Sequence, residues 1–251
     1  MNYDGLGSSY WQQQTERVER LRSRIVERTS TAPGRVVPTA DDLAIGTGRR
    51  LHATVLFTDI CGFSGRPAAT ADEQELLLRV LNLYFTEMIR IVEEYGGTVE
   101  KHTGDGLMAY FEDGAKGSAE ENGTKRALAS VLTMLAANDA LISPVLRASD
   151  VAPIHFRASL EYGPITVARI GAAQRFSANV AIGNAANFAC KMLGLVDEDD
   201  VGLGAAANTR IPPLWRDAWS KLSSKATGWV YSATGAPYPL YLYTGRWSRL
   251  V

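Results

Sequence analysis

His52-Ala53-Thr54-Val55-Leu56-Phe57-Thr58-Asp59-Ile60 reads as a buried strand that carries a carboxylate near its tip. A carboxylate in that position is costly unless something pairs with it. A second aspartate stands in a matching place. Asp105 lies in Lys101-His102-Thr103-Gly104-Asp105-Gly106, a turn between the strand 98–101 and the apolar strand Leu107-Met108-Ala109-Tyr110-Phe111.

The elements around these strands set the fold. A helix is expected over residues 71–95, with Leu76, Val80, Leu83, Tyr84, Met88, Ile91 and Val92 at three- and four-residue steps. Gly96-Gly97 ends it. A second helix is expected over 119–141. A strand over 154–160 then turns at Tyr162-Gly163-Pro164 into a partner over 165–170. The order β-α-β-β-α-β is the ferredoxin-like, palm-type plan, an α+β fold with helices on one face of an antiparallel sheet. In that plan the first strand lies beside the hairpin, so Asp59 and Asp105 can meet. Two carboxylates brought together repel unless a divalent cation sits between them. Standing alone, Asp59 would read as a cap and Asp105 as a turn residue.

After residue 170 a loop is expected to reach Val180. Ile182-Gly183-Asn184 then opens a helix on which Asn187 and Lys191 share a face. Residues 201–251 alternate short strands with Pro and Gly turns. Residues 1–50 form an N-terminal helical extension, ahead of one domain over 51–251. Trp11, Val18, Leu21 and Ile25 make a narrow stripe there, which packs either on the body of its own chain or on a partner subunit.

Composition bounds the rest. The 251 residues are 46% hydrophobic and 21% charged, with a net charge of -1, an ordinary globular balance without general attraction to nucleic acid or membrane. No apolar run reaches the roughly 20 residues of a membrane span, and the polar N-terminus lacks a signal-peptide pattern. Cys61 and Cys190 make no disulfide framework, and a reducing cytoplasm is the expected home. His52, His102 and His155 show no metal-ligand spacing.

Two carboxylates with backbone oxygen at a strand end suit a pair of hard cations, held about 3.5–4 Å apart in sites that transfer phosphoryl groups. The segment Ile60-Cys61-Gly62-Phe63-Ser64-Gly65 follows directly, and its N–H groups can cradle phosphates, which makes Gly62 and Phe63 substrate-binding candidates.

Four segments resemble the class III nucleotidyl cyclases, in order and over roughly residues 50–245. Phe57-Thr58-Asp59-Ile60-Cys61-Gly62-Phe63-Ser64 is similar to the first metal motif. Residues 99–109, around Gly104-Asp105-Gly106, are similar to the second. Phe156-Arg157 through Gly163-Pro164 resembles the strand that follows. Gly183-Asn184-Ala185-Ala186-Asn187 resembles the Gly-x-x-Val-Asn helix.

The resemblance implies that Asp59, Asp105 and the Ile60 carbonyl hold two Mg²⁺ or Mn²⁺ ions, and that a nucleoside triphosphate is cyclised with loss of pyrophosphate. Asn187 would orient the ribose. Lys191 stands where the family has an arginine, supplying charge without the planar fork. The family works as head-to-tail dimers with composite sites, so a homodimer is implied.

Base choice falls on two positions. Lys101 matches the adenylate cyclase lysine, four residues before the second metal aspartate, where guanylate cyclases carry glutamate. Val180 stands where adenylate cyclases carry Asp, Thr or Ser, and cannot accept a hydrogen bond; neighbouring Asn179 can do so only if the strand register slips. This departure resembles the bacterial Pycsar pyrimidine cyclases of antiphage defence. UTP conversion to cyclic UMP is the expectation, with CTP next. Adenylate cyclase is the alternative, and a catalytically dead regulatory module the reading from another class. Lys221, Lys225 and Arg246 are open candidates for pyrophosphate, and Arg66 and Arg157 for approach to phosphates.

Overall fold

The computed structural model describes residues 11–13, 15–20, 22, 29–39, 41–114, 122–172 and 176–247. Helical residues 11–13, 15–20 and 22 form α1, with Trp11 and Val18 exposed. Leu21 and Ile25 of the expected stripe lie outside the described residues.

Nine strands among the described residues form one sheet. They are β1 (Ser30–Pro33), β2 (Thr47–Ile60), β3 (Thr98–Thr103), β4 (Gly106–Glu112), β5 (Phe156–Ala172), β6 (Phe176–Ile182), β7 (Val201–Gly204), β8 (Ser220–Leu222) and β9 (Leu240–Tyr243). Their order is β3-β4-β2-β5-β7-β9-β8, with β1 added along β2 and β6 along β5. The segment β3-β4-β2-β5 is antiparallel throughout and is the expected ferredoxin-like core. The boundary expected at residue 50 falls inside β2, and β1 pairs with Thr47–Arg50, so Ser30–Pro33 and Thr47–Arg50 belong to the sheet.

The helix α2 (Ala71–Glu94) starts on a capping box. The Thr70 side chain accepts from Glu73 N–H and the Glu73 carboxylate accepts from Thr70 N–H, worth about 1 kcal/mol. Its buried side is Val80, Tyr84, Phe85, Met88, Ile91 and Val92, whereas Leu76 and Leu83, expected inside, are exposed. The next helical path opens on Asn122 as α3 (Gly123–Ala137), passes through a π turn at Asn138–Ile142 and continues as α4 (Ser143–Ala148). It therefore runs beyond the expected end at residue 141. Pro144 stands directly after the π turn, in the first turn of α4. The expected start at residue 119 lies outside the described residues. Gly123–Ala148 is long and apolar enough to cross a bilayer, but 61% of its most apolar window is buried inside the domain.

The sheet is covered on both faces. Leu56, Ile60, Leu107 and Phe111 pack under α2 and α3 with Leu128, Val131 and Met134. Each fully buried side chain of this kind contributes about 1.5–3 kcal/mol. On the opposite face, Leu51, Ala53, Val55, Met108 and Tyr110 meet Ala185, Ala186 and Ala189 of α5 (Asn184–Met192). The two core helices α2 and α3 share one face, as the ferredoxin-like plan expects, and α5, outside that plan, covers the other, its small alanines allowing close approach to the sheet.

A correction concerns β5. No turn occurs at Tyr162-Gly163-Pro164. β5 is a single strand of 17 residues that pairs with β2 from Phe156 through Ala168. β7 flanks it at 158–160 and β6 at 166–172, so Gly163 and Pro164 fall where β5 has a neighbour on one side only. A proline without an N–H is tolerated at such an open edge. The expected loop up to Val180 is correspondingly shorter, because β6 already begins at Phe176. Gly183 joins β6 to α5 at φ 153°, where a Cβ would lie 2.7 Å from the Pro164 carbonyl oxygen. Glycine alone fits there. After β7 come two short helices, α6 (Ala205–Arg210) and α7 (Pro213–Trp219), where only strands and turns were expected.

Candidate functional site

Asp59 is the last but one residue of β2. Its backbone neighbours are Gly106 on β4 and Arg157 on β5. Side chains alternate along a strand, so Asp59 points to the face of Val55 and Phe57, the one that α5 covers. The hairpin turn reaches it directly, with the Ile60 N–H donating to the Asp105 carbonyl at 3.0 Å. The two aspartates are thus brought together at one sheet end, as strand order predicted.

The Asp59 carboxylate is not free. Arg157 Nη2 donates to its Oδ2 at 2.9 Å and Arg157 Nε at 3.3 Å. Asp105 has no side-chain hydrogen bond or ion pair among the described residues. The oxygen set of Asp59, Asp105 and the adjacent backbone carbonyls is all hard donor, which fits Mg²⁺ or Mn²⁺. Arg157 takes only Oδ2, and Asp59 Oδ1 accepts no hydrogen bond among the described residues.

Beyond Ile60 the chain turns at Gly62, φ 65°, into the single 3-10 turn Phe63–Gly65. Three of the N–H groups expected to cradle phosphate are used internally. Ile60 donates to Asp105, Cys61 to His155 O at 2.8 Å and Gly65 to Gly62 O at 3.1 Å. The N–H groups of Gly62, Phe63 and Ser64 have no partner among the described residues. Arg66 is anchored to the Ala152 and Pro153 carbonyls, at 3.1 and 2.6 Å. Burial pushes the Cys61 thiol up in pKa, with nearby Arg157 acting the other way.

On α5, Ala185, Ala186, Ala189 and Met192 are buried, while Asn187 and Lys191 are exposed on the outward side. The helix is pinned over β5 by Ser159 Oγ, which donates to the Ala189 carbonyl. Neither the Asn187 nor the Lys191 side chain has a partner among the described residues.

Val180 and Asn179 lie on β6, opposite Ala168 and Arg169. Successive strand residues face opposite ways. Asn179 shares the face of Ala181, which packs beside Val167, and its Nδ2 donates to Pro38 O at 3.4 Å. Asn179 therefore points away from the side that Val180 occupies, and the register is regular.

Lys101 sits on β3 at a β-bulge. Both Glu100 and Lys101 fall opposite Met108, and Lys101 Nζ donates to Glu100 Oε1 at 2.6 Å. Of the three C-terminal basic candidates, Lys225 is held by both oxygens of Asp197 at 2.7 Å. Arg246 donates to the Asp199, Tyr243 and Gly245 carbonyls. Lys221 has no partner among the described residues.

Sequence reasoning missed one cluster. His155 Nδ1 lies 2.6 Å from Asp199 Oδ2 and 3.3 Å from Glu198 Oε1, and Asp199 Oδ1 accepts from Phe156 N–H at 3.3 Å. It pins the start of β5 to the acidic turn 197–200. The run Asp197-Glu198-Asp199-Asp200 was the available signal.

No protein-family model matches the sequence. The chain is 27% identical over 161 residues to an adenylate cyclase of Anabaena cylindrica, a match covering 63% of this chain. The match spans only 30% of that relative's length. Among solved structures, the guanylyl cyclase Cya2 is similar with a TM-score of 0.64 and 19% identity, over 81% of this chain and 96% of that one. The adenylyl cyclase CyaB from P. aeruginosa follows with a TM-score of 0.62 and 24% identity, over 81% and 97%. The chain has the fold of a class III cyclase catalytic domain.

Proposed function

We propose that the protein is a nucleotidyl cyclase that converts a nucleoside triphosphate into a 3′,5′-cyclic nucleotide and pyrophosphate. The observation that carries this reading is the hydrogen bond from Ile60 N–H to Asp105 O, which joins the two aspartate-bearing segments. In the reaction a bond forms between the 3′ oxygen and the α-phosphorus, and the bond from that phosphorus to the pyrophosphate oxygen breaks. Asp59, Asp105 and the Ile60 carbonyl would hold two divalent cations, which when bound supply charge neutralisation and acidify the attacking hydroxyl.

The chain's own groups have distinct tasks. The free N–H groups of Gly62, Phe63 and Ser64 receive phosphate oxygens. Arg157, paired with Asp59, supplies a planar cation beside them. Asn187 orients the ribose and Lys191 offsets charge on the α-phosphate. Both lie on the outer side of α5, so they serve the aspartates of a second copy in a homodimer.

For the base we propose UTP, with CTP next. Support comes from Val180, which offers no acceptor to an adenine amino group, and from Asn179, which is turned away toward Pro38. Such a product would act as a second messenger in antiphage defence, by the resemblance to pyrimidine cyclases. A second reading, ATP to cyclic AMP, is favoured by Lys101 and by the similarity to the Anabaena adenylate cyclase. Incubation with ATP, GTP, CTP and UTP separately, with Mn²⁺ and mass analysis of products, decides. Cyclic UMP as the main product is expected. Cyclic AMP instead sinks the pyrimidine reading, and no cyclic product from any of the four favours a regulatory module.

A further inference from the structure

Glu100 is the least explained carboxylate near the site. Its side chain is 3% exposed, yet only one oxygen is satisfied, the Oε1 that accepts from Lys101. Oε2 is buried with no hydrogen-bond partner. A buried acceptor left unmade is expensive, so such a group calls for a reason.

The bulge gives one. On a regular strand Glu100 and Lys101 would point to opposite faces. Here two residues oppose the single Met108, and the two side chains meet on one side. Lys101 keeps its head at the surface, 41% exposed, while the carboxylate that holds it is sealed inside. A free lysine loses rotamer entropy when it is fixed. Held beforehand by a rigid buried anchor, it loses less on meeting a ligand. An ammonium has three N–H donors; Glu100 takes one, which leaves two for acceptor atoms on a base.

We propose that Glu100 is a positioning residue for base selection: it fixes the Lys101 ammonium so that two N–H donors face the carbonyl oxygens or bare ring nitrogens of the nucleotide base. The inference rests on the cyclase reading and on Lys101 meeting the base.

The test is direct binding of the four 3′-deoxynucleoside triphosphates, which cannot cyclise, to wild type, Glu100→Gln, Lys101→Met and the double variant, with melting temperatures alongside. Wild type is expected to prefer one base. Glu100→Gln should cut affinity for that base by about tenfold, the scale of a lost polar contact, and leave the other three nearly unchanged. In the Lys101→Met background the same change should have no further effect on the preference. Equal weakening for all four bases, an unchanged preference, or additive effects in the double variant would each overturn the proposal. Failure of wild type to bind any of the four overturns it too. Failure of wild type to form any cyclic product, with the base preference intact, removes the cyclase reading instead.

Discussion

Arg157 and Asp59 face each other across the β2–β5 ladder, and the guanidinium occupies one carboxylate oxygen at 2.9 Å. The contact neutralises the very group proposed to bind a cation, so arginine and metal compete for it. Replacing Arg157 by Gln should therefore tighten Mn²⁺ binding while weakening nucleoside triphosphate binding. A thermal-shift titration with Mn²⁺ reads the first, expected at several-fold lower midpoint concentration; isothermal titration with a non-cyclisable nucleotide reads the second. Weaker Mn²⁺ binding in the variant would show that the pair assists the metal rather than excluding it.

Asp59→Asn and Asp105→Asn keep the shape of the side chains and remove their charge. Each should lower turnover by roughly 100-fold or more, since stabilisation by a bound cation amounts to several kcal/mol. Circular dichroism and melting curves should stay close to those of the wild type. Turnover within tenfold of wild type in either variant would contradict the two-metal assignment.

Asn187 is exposed on α5, and its side chain has no hydrogen-bond partner among the described residues. Mixing Asp59→Ala with Asn187→Ala protein, each inactive, should restore about a quarter of wild-type activity at equal concentrations, because random pairing of protomers yields mixed dimers half of the time, each with one intact site. Subunit exchange is followed by energy transfer between labelled copies. Exchange without recovery would rule against a site shared between chains.

Glu161 is 1% exposed on β5, and burial raises its pKa. Its carboxylate nonetheless accepts from Tyr238 O–H, Tyr162 N–H and Ala207 N–H. Its folded pKa lies above the unfolded one, so the folded state binds more protons between the two values. Its stabilising contribution is present below the unfolded pKa of about 4.3 and is lost as pH rises through the folded value. Glu161→Gln should thus gain melting temperature relative to wild type as pH is raised from 4 to 8. A difference that does not change with pH would place the stabilising effect in the hydrogen bonds alone.

The meeting of Asp59 and Asp105 was legible in the sequence because it depends only on strand order, and apolar runs report strand order well. The course of β5 was not. Tyr162-Gly163-Pro164 has turn composition, and only the absence of a second neighbour strand at that point lets it stay extended. Arg157 was one of several basic residues until register put it opposite Asp59, and register is a property of two segments rather than one. The bulge at Glu100 left no mark in composition, and the outward face of α5 was visible only as a four-residue spacing between Asn187 and Lys191.

The unbroken length of β5 acts as a measuring rod. Arg157, beside Asp59, and Ala168, beside Val180, are eleven residues apart on one extended strand, about 36 Å at 3.3 Å per residue. That span exceeds the reach of one nucleoside triphosphate. If Asp59 and Val180 attend to the same molecule, they do so from different chains, and a protomer on its own holds the phosphate end of one reaction and the base end of another.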